Sequence, residues 1–183
     1  QFVTIQSVTA SLTGSSITFG NVDIYEGSFV SSRYTADTQN VEQRFIINDD
    51  RADTTTISII VQNSATDTIQ TTFTQATDIA ALTSTSNVYF IQEVENGKYE
   101  VYFGDGVLGS AIEDGNIIII NYVVTNKAAS NGADTFTSSS AIDTVNSVNV
   151  VTVSNAAGGS EPESIESIKY NAPLDYASQG RCV

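Results

Sequence analysis

Apolar residues recur at every second position through much of this chain, and clusters of turn-forming residues separate the runs. Two alternating runs, 88–94 and 98–103, flank Glu95-Asn96-Gly97. Asn-Gly between such runs predicts a β-hairpin, because both residues tolerate positive φ. With Gly97 in that turn, Gly104, Asp105, Gly106 and Gly109 follow closely, and glycines spaced this way permit sharp backbone turns. After a further turn at Glu113-Asp114-Gly115-Asn116, residues 117–124 are apolar except for Asn121. Such continuity predicts a strand covered on both faces, near the centre of a sheet.

Upstream, 2–9, 17–19, 22–25, 29–34, 41–47, 56–62 and 68–74 are strand candidates. Their spacing is that of an antiparallel β unit. We therefore read 1–75 as an N-terminal β unit of sandwich type and 76–157 as a glycine-hairpin β domain. The second holds one turn of helix within 78–82 and a last strand at 145–153. Residues 158–183 are read as a hinge at Gly158 and Gly159 followed by a helical segment. Ser160 is the expected N-cap, Glu163 its capping-box partner, and Pro162 fits the first turn. Pro173 should end the helix, because the residue before a proline leaves the helical region. Ile165 and Ile168 share a face and, with Tyr170, are candidate interface residues. The fold class is mainly β, in β-sandwich-like antiparallel units, with a short C-terminal helical segment; α+β overall.

Composition agrees. Among 183 residues 40% are hydrophobic, enough for a core, and Lys and Arg together number only 7. Abundant Val, Ile and Thr favour strands. The net charge of −14 repels phosphate backbones, so a nucleic-acid partner is not expected. No apolar run approaches the roughly 20 residues that span a membrane as a helix. Cys182 is the single cysteine, which leaves no internal disulfide. The chain starts in mid-pattern and reads as a piece of a longer protein.

Candidate chemistry is sparse. Histidine is absent, which removes the commonest general base and metal ligand. Paired carboxylates remain, with Glu93, Glu95, Glu100, Asp105, Glu113 and Asp114 as the candidates, but solvent-facing hairpin carboxylates are the plainer account. Gly104-Asp105-Gly106 lacks the Lys-Ser/Thr of a phosphate loop and the alternating ligands of an EF-hand. Asp49, Asp50 and Asp53 crowd one loop, either as a calcium site or as a hydrated acidic turn. The sequence calls for no cofactor, no metal and no small-molecule substrate. Tyr99 and Tyr102 are the hairpin tyrosines suited to a protein–protein interface, where tyrosine is enriched.

Several motifs together resemble a known family. They are Y-E-V-Y-F-G-D-G-V-L-G at 99–109, D-G-N-I-I-I-I-N-Y-V-V-T at 114–125 and the N-G turn at Asn131-Gly132. V-D-I-Y-E-G at 22–27, Q-R-F-I-I-N at 43–48, T-Q-A-T-D-I at 74–79 and G-G-S-E-P-E-S-I-E-S-I-K-Y-N-A-P at 158–173 extend the likeness. The chain resembles an internal fragment of the baseplate wedge ring proteins of T4-like contractile-tailed bacteriophages and, more distantly, the baseplate J-like family. The resemblance implies a non-enzymatic structural subunit of the virion. It implies self-association and contacts with other baseplate wedge subunits, in a ring that links wedges around the hub and rearranges on contraction. Assembly in the host cytoplasm is implied as well. The alternative from composition alone is an extracellular acidic β-sandwich adhesin or carbohydrate-binding module.

Overall fold

The computed structural model describes residues 1–40, 43–143, 145 and 148–179, the side chains of 175 and 177–179 excepted. Its strands are β1 (Phe2–Val3), β2 (Ala10–Thr13), β3 (Ser16–Phe19), β4 (Tyr25–Glu26), β5 (Ser28–Thr35) and β6 (Phe45–Ile47). They continue with β7 (Ala52–Gln62), β8 (Gln70–Gln75), β9 (Val88–Glu93), β10 (Tyr99–Phe103) and β11 (Ile117–Val124). One α-helix, α1 (Ile165–Gln179), follows. The protein is mainly β with a C-terminal helix, as its residue pattern predicts.

Seven strands form one sheet in the order β5-β11-β7-β8-β9-β10-β6. Neighbours are antiparallel except β8 and β9, which run parallel from Thr74↔Val88 to Gln75↔Tyr89. The sheet curls until its two edges nearly meet. There the Tyr34 hydroxyl on β5 donates to the Ile46 carbonyl on β6 at 2.6 Å, and the Tyr34 ring stands edge-on to Phe45 at 5.5 Å. The result is a nearly closed, barrel-like sheet. Strands from both sides of position 75 build it: β5 finds its sheet partner in β11, and β6 finds its partner in β10.

Strand β11 behaves as its apolar run predicts. It pairs with β5 along one edge and β7 along the other, and Ile118, Ile119, Ile120, Tyr122 and Val123 are buried. Ile118, Ile120 and Tyr122 join Phe45, Ile47, Ile59, Val61, Phe73, Tyr89 and Val101 in the barrel core. Burying each such side chain contributes roughly 1.5–3 kcal/mol. Edge-to-face rings run through that core from Phe45 to Phe103 at 5.7 Å and from Phe103 to Phe73 at 5.3 Å. The β11–β7 register shifts between Asn121 and Val123. Thr56 occupies the break: its Oγ1 accepts from Val123 N at 3.0 Å and donates to Asp53 O at 2.8 Å.

Outside the barrel, β1 pairs with β4, and β2 with β3 in a hairpin turned through Gly14 at φ 63°. The chain forms two compact units, Gln1–Asn126 and Lys127–Val183. Within the second, Gly132 N donates to Ala156 O at 2.7 Å and Ala156 N to Ala133 O at 2.8 Å. The strand expected at 145–153 is not present among the described residues; the Ile142↔Val145 bridge is all that forms there. The helix also differs from its prediction. It begins at Ile165, and Ser164 caps it, with its Oγ accepting from Ser167 N at 3.2 Å. Pro173 lies inside it rather than at its end. Val41, in the expected strand 41–47, and Cys182 lie outside the described residues.

Candidate interaction surface

The turn at 95–97 is built as its residues dictate, with Asn96 at φ 64° and Gly97 at φ 70°. It sets the register Tyr99↔Glu93 through Phe103↔Tyr89 and so decides which side chains share a face. Tyr102 pairs with Phe90, and their rings stack at 5.1 Å, 16° from parallel. Arg44, next to β6, lays its guanidinium 4.1 Å from the Tyr102 ring centre and its Nε 3.8 Å from Glu100 Oε1. Gln92 Nε2 donates to the same Glu100 oxygen at 2.5 Å. This row of Phe90, Tyr102, Arg44, Glu100 and Gln92 covers the outward face of β9 and β10. A cation over an aromatic ring contributes about 0.5–1 kcal/mol at an exposed site. Its larger effect here is to hold the flat faces in one geometry.

Tyr99 does not belong to this face. Side chains alternate along a strand, so a residue three positions from Tyr102 points the other way. Tyr99 packs against the barrel core. Phe90 and Gln92 were legible as partners of Tyr102 from the Asn-Gly turn, since the turn fixes the register. Arg44 was not, because nothing local links residues 44 and 102.

The glycine cluster forms a closed loop. A Cβ on Gly104 would stand 2.4 Å from Leu108 O, and one on Gly109 would stand 2.8 Å from Val88 Cγ2. Asp105 Oδ1 accepts from the backbone N–H groups of Val107 and Leu108, both at 2.9 Å. Those bonds, Leu108 first, hold the Asp105 carboxyl below the usual carboxylate range. Gly109 N donates to Thr83 O at 3.1 Å and Ser110 N to Ser86 O at 2.8 Å, tying the loop to the segment before β9. Val107, 72% exposed, and Leu108 stand at its tip.

Gly158 and Gly159 differ from each other. Gly158, at φ 95°, has open space around it. Gly159 is clasped: Asn131 Nδ2 donates to its carbonyl at 2.7 Å, its N–H donates to Asn131 Oδ1 at 3.0 Å, and a Cβ would stand 2.2 Å from Lys127 O. Along the helix, Ile165 and Ile168 are exposed on one side. Tyr170 lies about 200° round from Ile168, nearer to Leu174, so the three candidates do not share a single stripe. Glu163 accepts from the Ser167 hydroxyl and from Asn171 Nδ2, which lowers its pKa, with the Ser167 bond the larger cause.

The acidic residues do not converge. Among the described residues no three carboxylates, cysteines or histidines are grouped to hold a metal ion. Asp49 Oδ1 accepts from Arg51 N at 2.9 Å and faces Arg51 Nε at 3.5 Å. Asp53 Oδ1 accepts from Thr55 N and Thr55 Oγ1. Asp114 caps Thr38 N at 3.1 Å. These are turn-closing contacts of short polar side chains with nearby backbone. The surface is built to meet other surfaces through flat aromatic and apolar groups.

Residues 32–134 match the sequence profile described as Bacteriophage baseplate wedge protein gp6, third domain. Among curated proteins, the Baseplate wedge protein gp6 of Enterobacteria phage T4 is 30% identical over a stretch covering 55% of this chain. The match covers 18% of that relative's length. The matched residues take in most of the seven-stranded sheet, the glycine loop and the Phe90–Tyr102 face.

Proposed function

The chain belongs to the family of the bacteriophage baseplate wedge protein gp6, third domain, and from that membership we propose that it is a structural part of a phage tail baseplate wedge. The observation that carries the reading is the match across the folded barrel itself. In this role the protein works by interface geometry, without catalysis, and its partners are further copies of itself and other wedge subunits. They form a ring that joins neighbouring wedges around the hub and shifts when the tail contracts. The parent protein is assembled in the host cytoplasm and then resides in the virion. The acidic surface, at net charge −14, favours protein contacts over nucleic acid. The outward Phe90–Tyr102–Arg44 row supplies rigid aromatic and guanidinium groups of the kind that dominate interface energetics.

Peptide mapping of purified tailed particles tests the assignment. Peptides from this sequence, in stoichiometric amounts and within the baseplate, are the expected result. Recovery from a cell-envelope or secreted fraction with no particle present would overturn it. Tyr102→Ala tests the face: assembly of wedges should fall at least tenfold while the barrel still folds, and unchanged assembly would remove Tyr102 from the interface.

A further inference from the structure

The hairpin of β2 and β3 is a sheet of its own, with no strand on either outer edge. Its register pairs Ala10 with Phe19 and Leu12 with Ile17, so these four share one face. Ser11, Thr13, Ser16 and Thr18 share the other. One face is thus wholly apolar, yet Leu12 is 74% exposed and Ile17 58%. A lone two-stranded hairpin is marginal in water. Neither edge carries the lysine, proline or bulge that usually guards a free strand. Residues 1–22 contain no Asp, Glu, Lys or Arg, the longest such run in a chain of net charge −14.

That charge pattern selects the occupant. Two copies that meet through acidic surface repel each other. Meeting through this hairpin, they bring no charged side chains of the hairpin together and remove apolar surface from water on both sides. A cationic partner gains nothing here and is drawn to the acidic surface instead. We infer that the apolar face of the β2–β3 hairpin packs on the same face of a second copy of this chain, in a self-complementary two-fold contact. The inference rests on the self-association in the function proposed above and adds the surface that makes it. Eight residues at about 3.4 Å rise, on strands about 4.8 Å apart, give a patch far below the roughly 800 Å² per partner of a standard interface. The contact is therefore weak between free copies. It becomes strong where other contacts hold two copies side by side, at an effective concentration on the order of millimolar.

Disulfide trapping on the purified chain reads this directly. In a Cys182→Ser background, Leu12→Cys should form covalent dimers at least tenfold faster than Ile69→Cys, whose side chain is 65% exposed at a turn before β8. Adding Ile17→Lys to the Leu12→Cys chain should abolish that advantage. Equal rates, or an advantage that survives Ile17→Lys, overturn the contact. In assembled particles, trapping of Leu12→Cys onto a different polypeptide overturns the choice of a second copy. The hairpin lies outside the seven-stranded sheet, so an unchanged melting temperature confirms that the variants are folded. Because the rates are read on the isolated chain, they stand apart from whether particles contain it.

Discussion

Thr56 is the residue on which the barrel wall turns. It is 4% exposed, and its single hydroxyl satisfies both Val123 N–H and Asp53 C=O where the β11–β7 ladder breaks. Thr56→Val keeps the shape and removes the hydroxyl, which leaves a buried N–H without a partner. The expected loss is about 1–3 kcal/mol in chemical denaturation, with Thr56→Ser recovering most of it. Gly27 is a second such point. It is buried at φ 131°, and a Cβ there would stand 2.2 Å from Val124 O and 2.7 Å from Val123 Cγ1. The Gly27→Ala chain should melt markedly lower, by an amount matching about 1–3 kcal/mol of strain, or fail to fold. Exposed carboxylates act more gently. Asp67, Asp105 and Glu163 all have lowered pKa values, Asp67 chiefly through its Asn63 bond. A depressed folded pKa stabilises the protein above the unfolded value and is lost as pH falls through the folded one. Stability should thus hold at neutral pH and decline in acid below about 4, in a pH series of melting temperatures.

Among the elements, those with a strict two-residue period and a turn motif were legible in the sequence. The 88–94 and 98–103 runs became β9 and β10 because Asn96 and Gly97 hold positive φ. The 117–124 run became the buried β11 because no polar residue except Asn121 interrupts it. The strand expected at 145–153 failed for a different reason: alternating Val and Asn supply propensity, but a strand also needs an edge to pair with. The helix was misplaced because two serines precede it. Ser160 has the better capping-box spacing, yet Ser164 closes the first turn. Pro173 survives inside because the side-chain bonds among Glu163, Ser167 and Asn171 brace the turns before it. Proline is still about 3 kcal/mol worse than alanine in a helix interior. Pro173→Ala should therefore slow amide exchange across 165–179; exchange as fast as in the parent chain would show that the proline is not what limits this helix.

At the scale of the molecule, charge and closure govern. The sequence revealed the net charge of −14, and self-repulsion at that charge is screened by salt. Raising ionic strength from about 0.01 M to about 0.15 M shortens the screening length from roughly 30 Å to 8 Å, and the melting temperature should rise with it. Barrel closure was not legible, because it rests on Tyr34 and Ile46, twelve positions apart with a polar segment between them. Tyr34→Phe removes the bond between the two edges and should lower stability by about 0.5–1.5 kcal/mol. Burial, first, and the neighbouring Tyr122 raise the pKa of the Tyr34 phenol. A raised folded value means that this stabilisation is complete below about pH 10 and is lost as pH climbs through the folded value.

The pairing of β11 with β5 has a kinetic meaning as well. Ile117 meets Thr35 and Val124 meets Ser28, so the ladder joins segments separated by most of the first unit. Pairings this distant in sequence are slow to find, because loop closure precedes any gain from contact. As the polypeptide leaves the ribosome, β5 and β7 must wait, unpaired along one edge, until residue 124 has emerged. The barrel thus forms late and as a unit.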